Sequence, residues 1–438
     1  MPDTDCVAEP EWAAFLALDW GDQKHAWSLY VPGAQKPEHG ELIHSPEAIH
    51  AWVSQLTARF ADRPIAVCLE QARGALLASL SKYENLVLYP IHPATASDFR
   101  KAVFPSGSKD DPLDADVLLE FLLKHRNRLR VWRPDTTETR ELQFLVEDRR
   151  KLVDDKTRCL NQLTQRLKQY FPQVLTWFGG ADSVLLWKFL ERWPDWEALG
   201  KAQRSALQTF LEQDRRGAAP DIEELWPAIR EAVSATHDAA VIRSSVLFVT
   251  TLVGHLRALR EAIQRYEKRI QELTETHPDF AIVSSFPGVG PALAPRLIAA
   301  LGTQRERFAS ANELQSYSGI APVKESSGKR CWIHMRWACP KFVRQTFQEW
   351  AQHSLARSQW ARAYYDRQRA RGKQHHAIIR SLAFKWIRIL YRCWQNRTPY
   401  QETLYSAALA RRAPDETAPV EFVWTTTAGF SKISATQP

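Results

Sequence analysis

Between residues 252 and 273 the side chains Leu252, Leu256, Leu259, Ile263, Tyr266, Ile270 and Leu273 alternate spacings of four and three. That places them on one stripe of a helix over about three heptads, and such a stripe must be covered. A second stripe lies upstream, where Val146, Val153, Leu160 and Leu167 recur every seven residues, flanked by Leu142, Leu145, Leu152 and Leu163. The pattern predicts two long helices in a coiled coil, paired with each other or across a homodimer. An ordinary core-facing helix is the plainer reading of the same spacing.

The first 135 residues follow another rule. "FLALDW", "AWSLYV", "PIAVCLE" and "LVLYPI" are short apolar or β-branched runs, the first two separated by the turn-like "GDQKH". "ALLASLSKYEN" and "PLDADVLLEFLLKH" have helical spacing. Strands followed by helices predict an α/β layer with a mixed sheet. Between the two long helices, residues 176–238 hold Trp-rich helices and breaks at "GG", "RWPDW" and "RRGAAPD", read as an inserted helical subdomain. The expected division is therefore 1–135 as an α/β domain, 136–280 as the coiled-coil region with its insert, and 281–405 as a mostly helical C-terminal domain. Residues 406–438, rich in Pro, Thr and Ser, are expected to be a disordered tail.

A chain of 438 residues can hold two or three such domains. Its net charge of +8 favours a polyanionic partner. The six cysteines are scattered, with no CxxC pair, and are read as reduced thiols, neither a zinc site nor a disulfide framework. The start is acidic, without a signal-peptide pattern, and no stretch is expected to be long and apolar enough to cross a membrane. A cytoplasmic protein follows as the expectation.

Against that basic background, "SGSKDDPLDADVLLEF" crowds Asp110, Asp111, Asp114 and Asp116 at the start of a helix. Pro112 suits the first helical position, making Asp111 the expected N-cap and Asp114 its neighbour one turn on. Helix-dipole stabilisation accounts for these acids when they are taken alone. Two more acids change the argument. Asp19 ends "FLALD" and Glu70 ends "IAVCLE", and acids at strand ends lie on the sheet rim where α/β folds bind ligands. Carboxylates gathered there repel unless cations intervene. Mg2+ prefers such oxygen ligands and shares them with phosphate.

"LALDWGDQK", "CLE" and "KDDPLDA" resemble the D-E-D-D carboxylate motifs of the IS110 family of bacterial insertion-sequence transposases. The resemblance implies a RuvC-like domain of ribonuclease H fold and a recombinase guided by a structured bridge RNA. Matched motif to motif, the metal ligands fall on Asp19, Glu70, Asp111 and Asp114, with Mg2+ as cofactor and Mn2+ able to substitute. Asp110 stands where the family usually has Thr or Ser, so Asp110 and Asp111 compete for the third place. The spacing to Asp114 favours Asp111.

"KESSGKR" carries Ser326 and Ser327 before Gly328, amid Lys324, Lys329 and Arg330. A bare Ser-Gly reads as a solvated turn. "LQSYSGIAPVKESSGKR", however, resembles the family's C-terminal transposase motif, in which a serine just before glycine attacks DNA. By position that serine is Ser327, with Ser326 the alternative. The resemblance thus implies catalytic roles for Ser327, Asp19, Glu70, Asp111 and Asp114. "FPGVGPAL" resembles a helix-hairpin-helix turn in which Gly288 and Gly290 let backbone N–H groups approach phosphate; a plain interhelix turn fits equally. The last helices carry a run of bases that includes Arg344, Arg371, Lys373 and Arg380, with Tyr364 and Tyr365 interleaved. Few acids balance it, which suits contact with a nucleic-acid backbone.

The reading is a Mg2+-dependent DNA transposase or recombinase acting through phosphoserine. Its expected partners are donor and target DNA, a structured guide RNA, and further copies as a homodimer and a dimer of dimers. Rival readings are a metal-dependent nuclease or junction resolvase with water as attacker, and a site-specific invertase. A sugar-kinase-like ATPase is suggested only by "DWGDQK" and lacks a second phosphate motif. A non-catalytic RNA-binding scaffold leaves the clustered acids idle.

Overall fold

The computed structural model describes residues 11–70, 74–103, 111–213, 219–328 and 330–412, with side chains undescribed at 111–112 and 408–412. The chain divides into two compact units, Met1–Pro134 and Asp135–Pro438.

The first unit is a mixed sheet of β1 (Ala14–Asp19), β2 (Lys24–Tyr30), β3 (Glu38–Ile43), β4 (Ile65–Leu69) and β5 (Leu86–Pro90), in the order β3-β2-β1-β4-β5. Strands β1, β2 and β3 form antiparallel pairs, and β1, β4 and β5 run parallel. Among the described residues, the sheet is accompanied by α1 (Pro46–Phe60), α2 (Ala75–Leu80), α3 (Pro93–Val103) and α4 (Asp111–His125). The central strands read as unbroken apolar runs because both faces are covered. Leu16, Leu18, Val67 and Leu69 pack with Ile49, Val53, Leu56 and Phe60 of α1 and with Leu76, Leu77 and Leu80 of α2. The alternate residues Phe15, Ala17, Ala66 and Cys68 pack with Leu118, Leu119 and Leu122 of α4. Burying a leucine there contributes about 1.5–3 kcal/mol.

Local chemistry sets the boundaries. Ser45 caps α1, its hydroxyl accepting from the Ala48 N–H at 3.1 Å, and Pro46 occupies the first turn. Gly40 in β3 sits against the Trp27 ring, where a Cβ would come within 2.4 Å of it. Helix α2 stops at Leu80, short of the helix expected through residue 85, because the chain must turn into β5 at Leu86. Asp111 is already helical in α4, so it is not the expected cap. Asp110 lies outside the described residues.

In the second unit α5 (Thr137–Tyr170) and α11 (Ala239–Glu275) lie antiparallel in one chain. Near one end Arg269 Nε donates to Glu141 at 2.8 Å, and Thr139 Oγ1 and His277 Nε2 are 3.1 Å apart. At the other end Leu163 and Leu167 meet Val249, Leu252, Val253 and Leu256. The latter core also takes in the inserted helices α6 (Gln173–Trp177), α7 (Val184–Arg192), α8 (Trp196–Gly200), α9 (Arg204–Glu212) and α10 (Ile222–Glu231). Phe171, Trp187 and Phe189 are fully buried at its centre. An 18-residue window of α11 reaches mean hydropathy 1.6. By length and composition that helix could cross a bilayer, which corrects the expectation that no stretch would qualify.

The other core joins the base of this helix pair to α12 (Phe280–Ser284), α13 (Ala294–Leu301), α14 (Ala311–Tyr317), α15 (Lys341–Ser354), α16 (Gln359–Ala370) and α17 (His375–Gln395). Strands β6 (Val323–Ser327) and β7 (Arg330–His334) form a separate two-stranded ribbon. In this core Trp350 Nε1 donates to Pro287 O at 3.1 Å and Trp394 Nε1 to Asp279 at 3.1 Å. Helix α18 (Glu402–Arg412) runs through residue 406, so the tail expected to begin there is helical at its start.

Candidate active site

Strands β1 and β4 are parallel neighbours with Leu18 opposite Leu69. Asp19 and Glu70 are the next residues along each strand's path, so both follow the same end of the parallel pair. Both are half-buried. Helix α4 runs antiparallel to β1. Arg126, just past its C-terminal end, lies over the rings of Trp12 and Phe15 at 5.3 and 5.2 Å, near the start of β1. Nearer its beginning, Asp116 accepts from Ser28 Oγ at 2.6 Å, and Ser28 is the register partner of Ala17. The N-terminus of α4 therefore approaches the same end of the sheet as Asp19 and Glu70.

Asp114 lies on this first turn and pairs with Arg100 of α3 at 2.5 Å, both side chains largely buried. The backbone of Asp111 opens the helix, while its side chain lies outside the described residues. Among the described residues, no group of three or more His, Cys, Asp or Glu side chains is arranged to hold a metal ion. The donor chemistry nevertheless suits Mg2+, since Asp19, Glu70 and Asp114 offer only hard carboxylate oxygens.

Two features of this region escaped the sequence reading. Asp116, the fourth acid of the opening cluster, is 2.7 Å from His39 Nε2 as well as bonded to Ser28, which clamps α4 to β2 and β3. Its spacing gave no hint that it plays a different part from Asp114. The other is His25, whose side chain is fully buried. The Gly21 N–H donates to its Nδ1 at 3.1 Å, which leaves the proton on Nε2 to be donated to His44 Nδ1 at 2.8 Å. Burial, reinforced by His44, pushes the imidazole down to about 4. This pair fastens the turn that follows Asp19. The available signal was a histidine at an inward position of a strand.

In the second unit Ser326 and Ser327 lie on β6, opposite Cys331 and Arg330 of β7. Side chains alternate across the ribbon, so the two serines occupy opposite faces. Ser327 shares its face with Arg330 and with the Glu325–His334 pair, whose separation is 3.3 Å. Lys324, Ser326, Ser327 and Arg330 are all exposed, and Lys329 lies outside the described residues. Gly328 turns the ribbon at φ 57°, the left-handed region where glycine is favoured.

The two turn glycines differ. Gly288 has φ 79°, and a Cβ there would lie 2.6 Å from the backbone of His353 and Ser354, so glycine is needed for packing against α15. At Gly290 a Cβ would meet nothing within 4 Å. Gly290 lines a cavity of about 520 Å³ that is also bounded by Arg149, Arg296, Phe280, Val289 and Phe342. Arg296 donates to Thr346 Oγ1 at 3.0 Å and pairs with Glu349 at 2.5 Å.

Among the basic residues, Arg371 is exposed and Lys373 half-buried. Arg344 Nη1 donates to Arg336 O at 3.2 Å. Arg380 is half-buried, and burial followed by the nearby Arg344 holds its guanidinium below the ordinary arginine range. Tyr364 lies under Lys385 at 5.1 Å, and Tyr365 bonds His375 Nδ1 at 2.8 Å.

Residues 16–172 match a family model described as "Transposase", the DEDD domain of IS110 elements. Residues 281–366 match one described as "Transposase IS116/IS110/IS902 family". The chain is 29% identical over 414 residues to the transposase named for the mini-circle IS117 of Streptomyces coelicolor, covering 92% of this chain and 99% of that protein. An uncharacterized 43.6 kDa protein of insertion element IS110, from the same organism, is 28% identical over 409 residues, covering 92% of this chain and 98% of that protein. An uncharacterized 42 kDa protein of insertion element IS900 in Mycobacterium paratuberculosis is 24% identical over 415 residues, covering 92% and 100%. Both family models describe DNA transposases, enzymes that cut and rejoin DNA. The chain belongs to the IS110 family of them.

Proposed function

We propose that this transposase joins itself to DNA through Ser327 and uses divalent cations held by Asp19, Glu70, Asp111 and Asp114. The observation that carries the reading is the parallel pairing of β1 with β4 up to Leu18 and Leu69, the residues that precede Asp19 and Glu70. Half-buried carboxylates at neighbouring strand ends offer the hard oxygen ligands that a divalent cation prefers. When bound, Mg2+ or Mn2+ supplies Lewis-acid stabilisation of charge on a phosphate.

In the cleavage step Ser327 Oγ attacks the phosphorus of a phosphodiester. The Oγ–P bond forms, the bond from phosphorus to one bridging oxygen breaks, the serine loses its proton, and the departing hydroxyl gains one. The serine ester retains the energy of the broken bond, so attack by another strand's hydroxyl reverses the step and rejoins DNA. Exposure of Ser327 on a ribbon suits a nucleophile that must meet a bulky duplex. Lys324, Lys329, Arg330, Arg344, Arg371, Lys373 and Arg380 contribute phosphate contacts, and Gly290 offers an open backbone at the helix-hairpin-helix turn. A structured guide RNA supplies target choice, as the family resemblance implies. Synapsis of two duplexes assembles a dimer of dimers through the long helices.

The test is cleavage of end-labelled DNA resolved on denaturing gels. Wild type and Ser326→Ala give a covalent protein–DNA adduct, and Ser327→Ala gives none. An adduct that persists in Ser327→Ala discards that serine. Cleavage by wild type without any adduct assigns the attack to water and makes the chain a nuclease. Asp114→Asn abolishes cleavage while the circular dichroism spectrum is unchanged.

A further inference from the structure

Trp337 does not behave like the other tryptophans of the chain. Its side chain is 70% exposed, more than any other tryptophan among the described residues. At this exposure the ring face is open to a flat apolar partner. It sits three residues beyond β7, the strand that pairs with the Ser327 strand. The segment bearing it is held in place. The Cys339 N–H donates to Trp337 O at 3.0 Å, and Arg344 of α15 donates to Arg336 O at 3.2 Å. Cys339 packs against Gly319, where a Cβ would lie 2.2 Å from its sulfur. The indole is thus presented on a fixed loop.

Its surroundings select the occupant. The Arg344 guanidinium lies over the indole at 6.0 Å from the ring centroid. From Ser326 to Gln348 the sequence holds Lys329, Arg330, Arg336, Lys341 and Arg344 and no acidic residue. An exposed indole backed by a guanidinium, in a stretch whose bounding acids Glu325 and Glu349 are already paired with His334 and Arg296, is complementary to a nucleobase flanked by phosphates. The ring stacks on the base and the bases of the segment meet the backbone. A ribbon of five residues spans about 17 Å, so the indole lies several nucleotides from Ser327 along a bound strand.

We propose that Trp337, backed by Arg344, is a stacking platform for an unstacked base of the DNA strand being exchanged. Cutting and rejoining between duplexes requires bases to part locally, and a parted base has an open face. The proposal rests on the reading that this protein cleaves DNA through Ser327, whose strand leads into the platform.

The experiment uses the full chain and single-stranded DNA in which 2-aminopurine is placed at one position at a time. Stacking on an indole quenches that base. Wild type quenches it at one or two neighbouring positions. Trp337→Ala loses the quench there and binds single-stranded DNA about tenfold or more weakly, while duplex affinity is unchanged. Trp337→Phe retains most of the affinity. Equal quench and affinity in wild type and Trp337→Ala overturn the proposal. So does a change of oligomeric mass in Trp337→Ala by light scattering, which would assign the indole to contact with a second copy. Loss confined to an RNA strand of the same sequence overturns the commitment to DNA. Because the assay reads binding, the absence of a covalent adduct in wild type would remove Ser327 from its role without altering the quench.

Discussion

The carboxylate rim and the serine ribbon are built in opposite ways. Asp19 and Glu70 extend from strands whose every neighbouring residue is buried, between helices on both faces. Ser327 lies on a two-stranded ribbon whose β6 residues are almost all exposed. Like charges converge only where a rigid backbone overrules their repulsion, and a buried parallel pair provides that. A nucleophile needs access to a large substrate, which a short ribbon gives at little cost in core. Two strands alone are marginally stable.

The largest expected effect tests whether the rim is chemical. Asp19→Asn and Glu70→Gln each reduce strand cleavage by about 10³-fold or more, measured in single-turnover assays, with the fold intact by circular dichroism. Retention of activity would leave the rim a structural feature only. Rigidity is tested next. Leu18→Ala, in β1, costs about 2–5 kcal/mol in chemical denaturation. Lys324→Ala, on the ribbon, costs about 0.5 kcal/mol or less. Equal costs would erase the contrast between the two regions.

The third effect depends on pH. His25 is lowered to about 4 in the fold, so between that value and the ordinary 6.5 the unfolded chain binds the proton that the folded one refuses. Stability therefore falls as pH drops through this window, by at most about 3 kcal/mol. His25→Gln flattens that slope, as thermal melting at stepped pH would reveal; an unchanged slope assigns it to other groups. The smallest effect concerns Arg100. Its guanidinium occupies the Asp114 carboxylate. If a cation shares that carboxylate, Arg100→Gln tightens Mg2+ binding several-fold by calorimetry. Weaker binding would make Arg100 a support for the helix start.

Much of the fold was legible because local periodicity reports which face of an element is buried. The runs "FLALD" and "IAVCLE" became β1 and β4, and their terminal acids emerged at adjacent strand ends. Helix α17 buries Ile378, Ile379, Leu382, Ala383, Trp386, Ile387 and Leu390, since neighbours cover it on more than one side. The edge strand β3 was missed because "EHGELI" buries only Leu42. Helix α1 was readable from Ser45-Pro46 and from Ile49, Val53, Leu56 and Phe60, but the strand signals around it drew the reading past it.

By itself the sequence determined the alternation of strands and helices, the acids at strand ends, the paired apolar stripes and the serine-glycine segment in its basic surroundings. Tertiary structure decided that Asp116 clamps a helix while Asp114 meets Arg100. It also decided that Gly288 is needed for packing while Gly290 stays open, that His25 is held neutral by Gly21 and His44, and that Trp337 is left uncovered. The division has one physical cause. Repeats along a chain encode the faces of single elements, whereas a side chain's partners come from elements far apart in sequence, brought together only when the cores close.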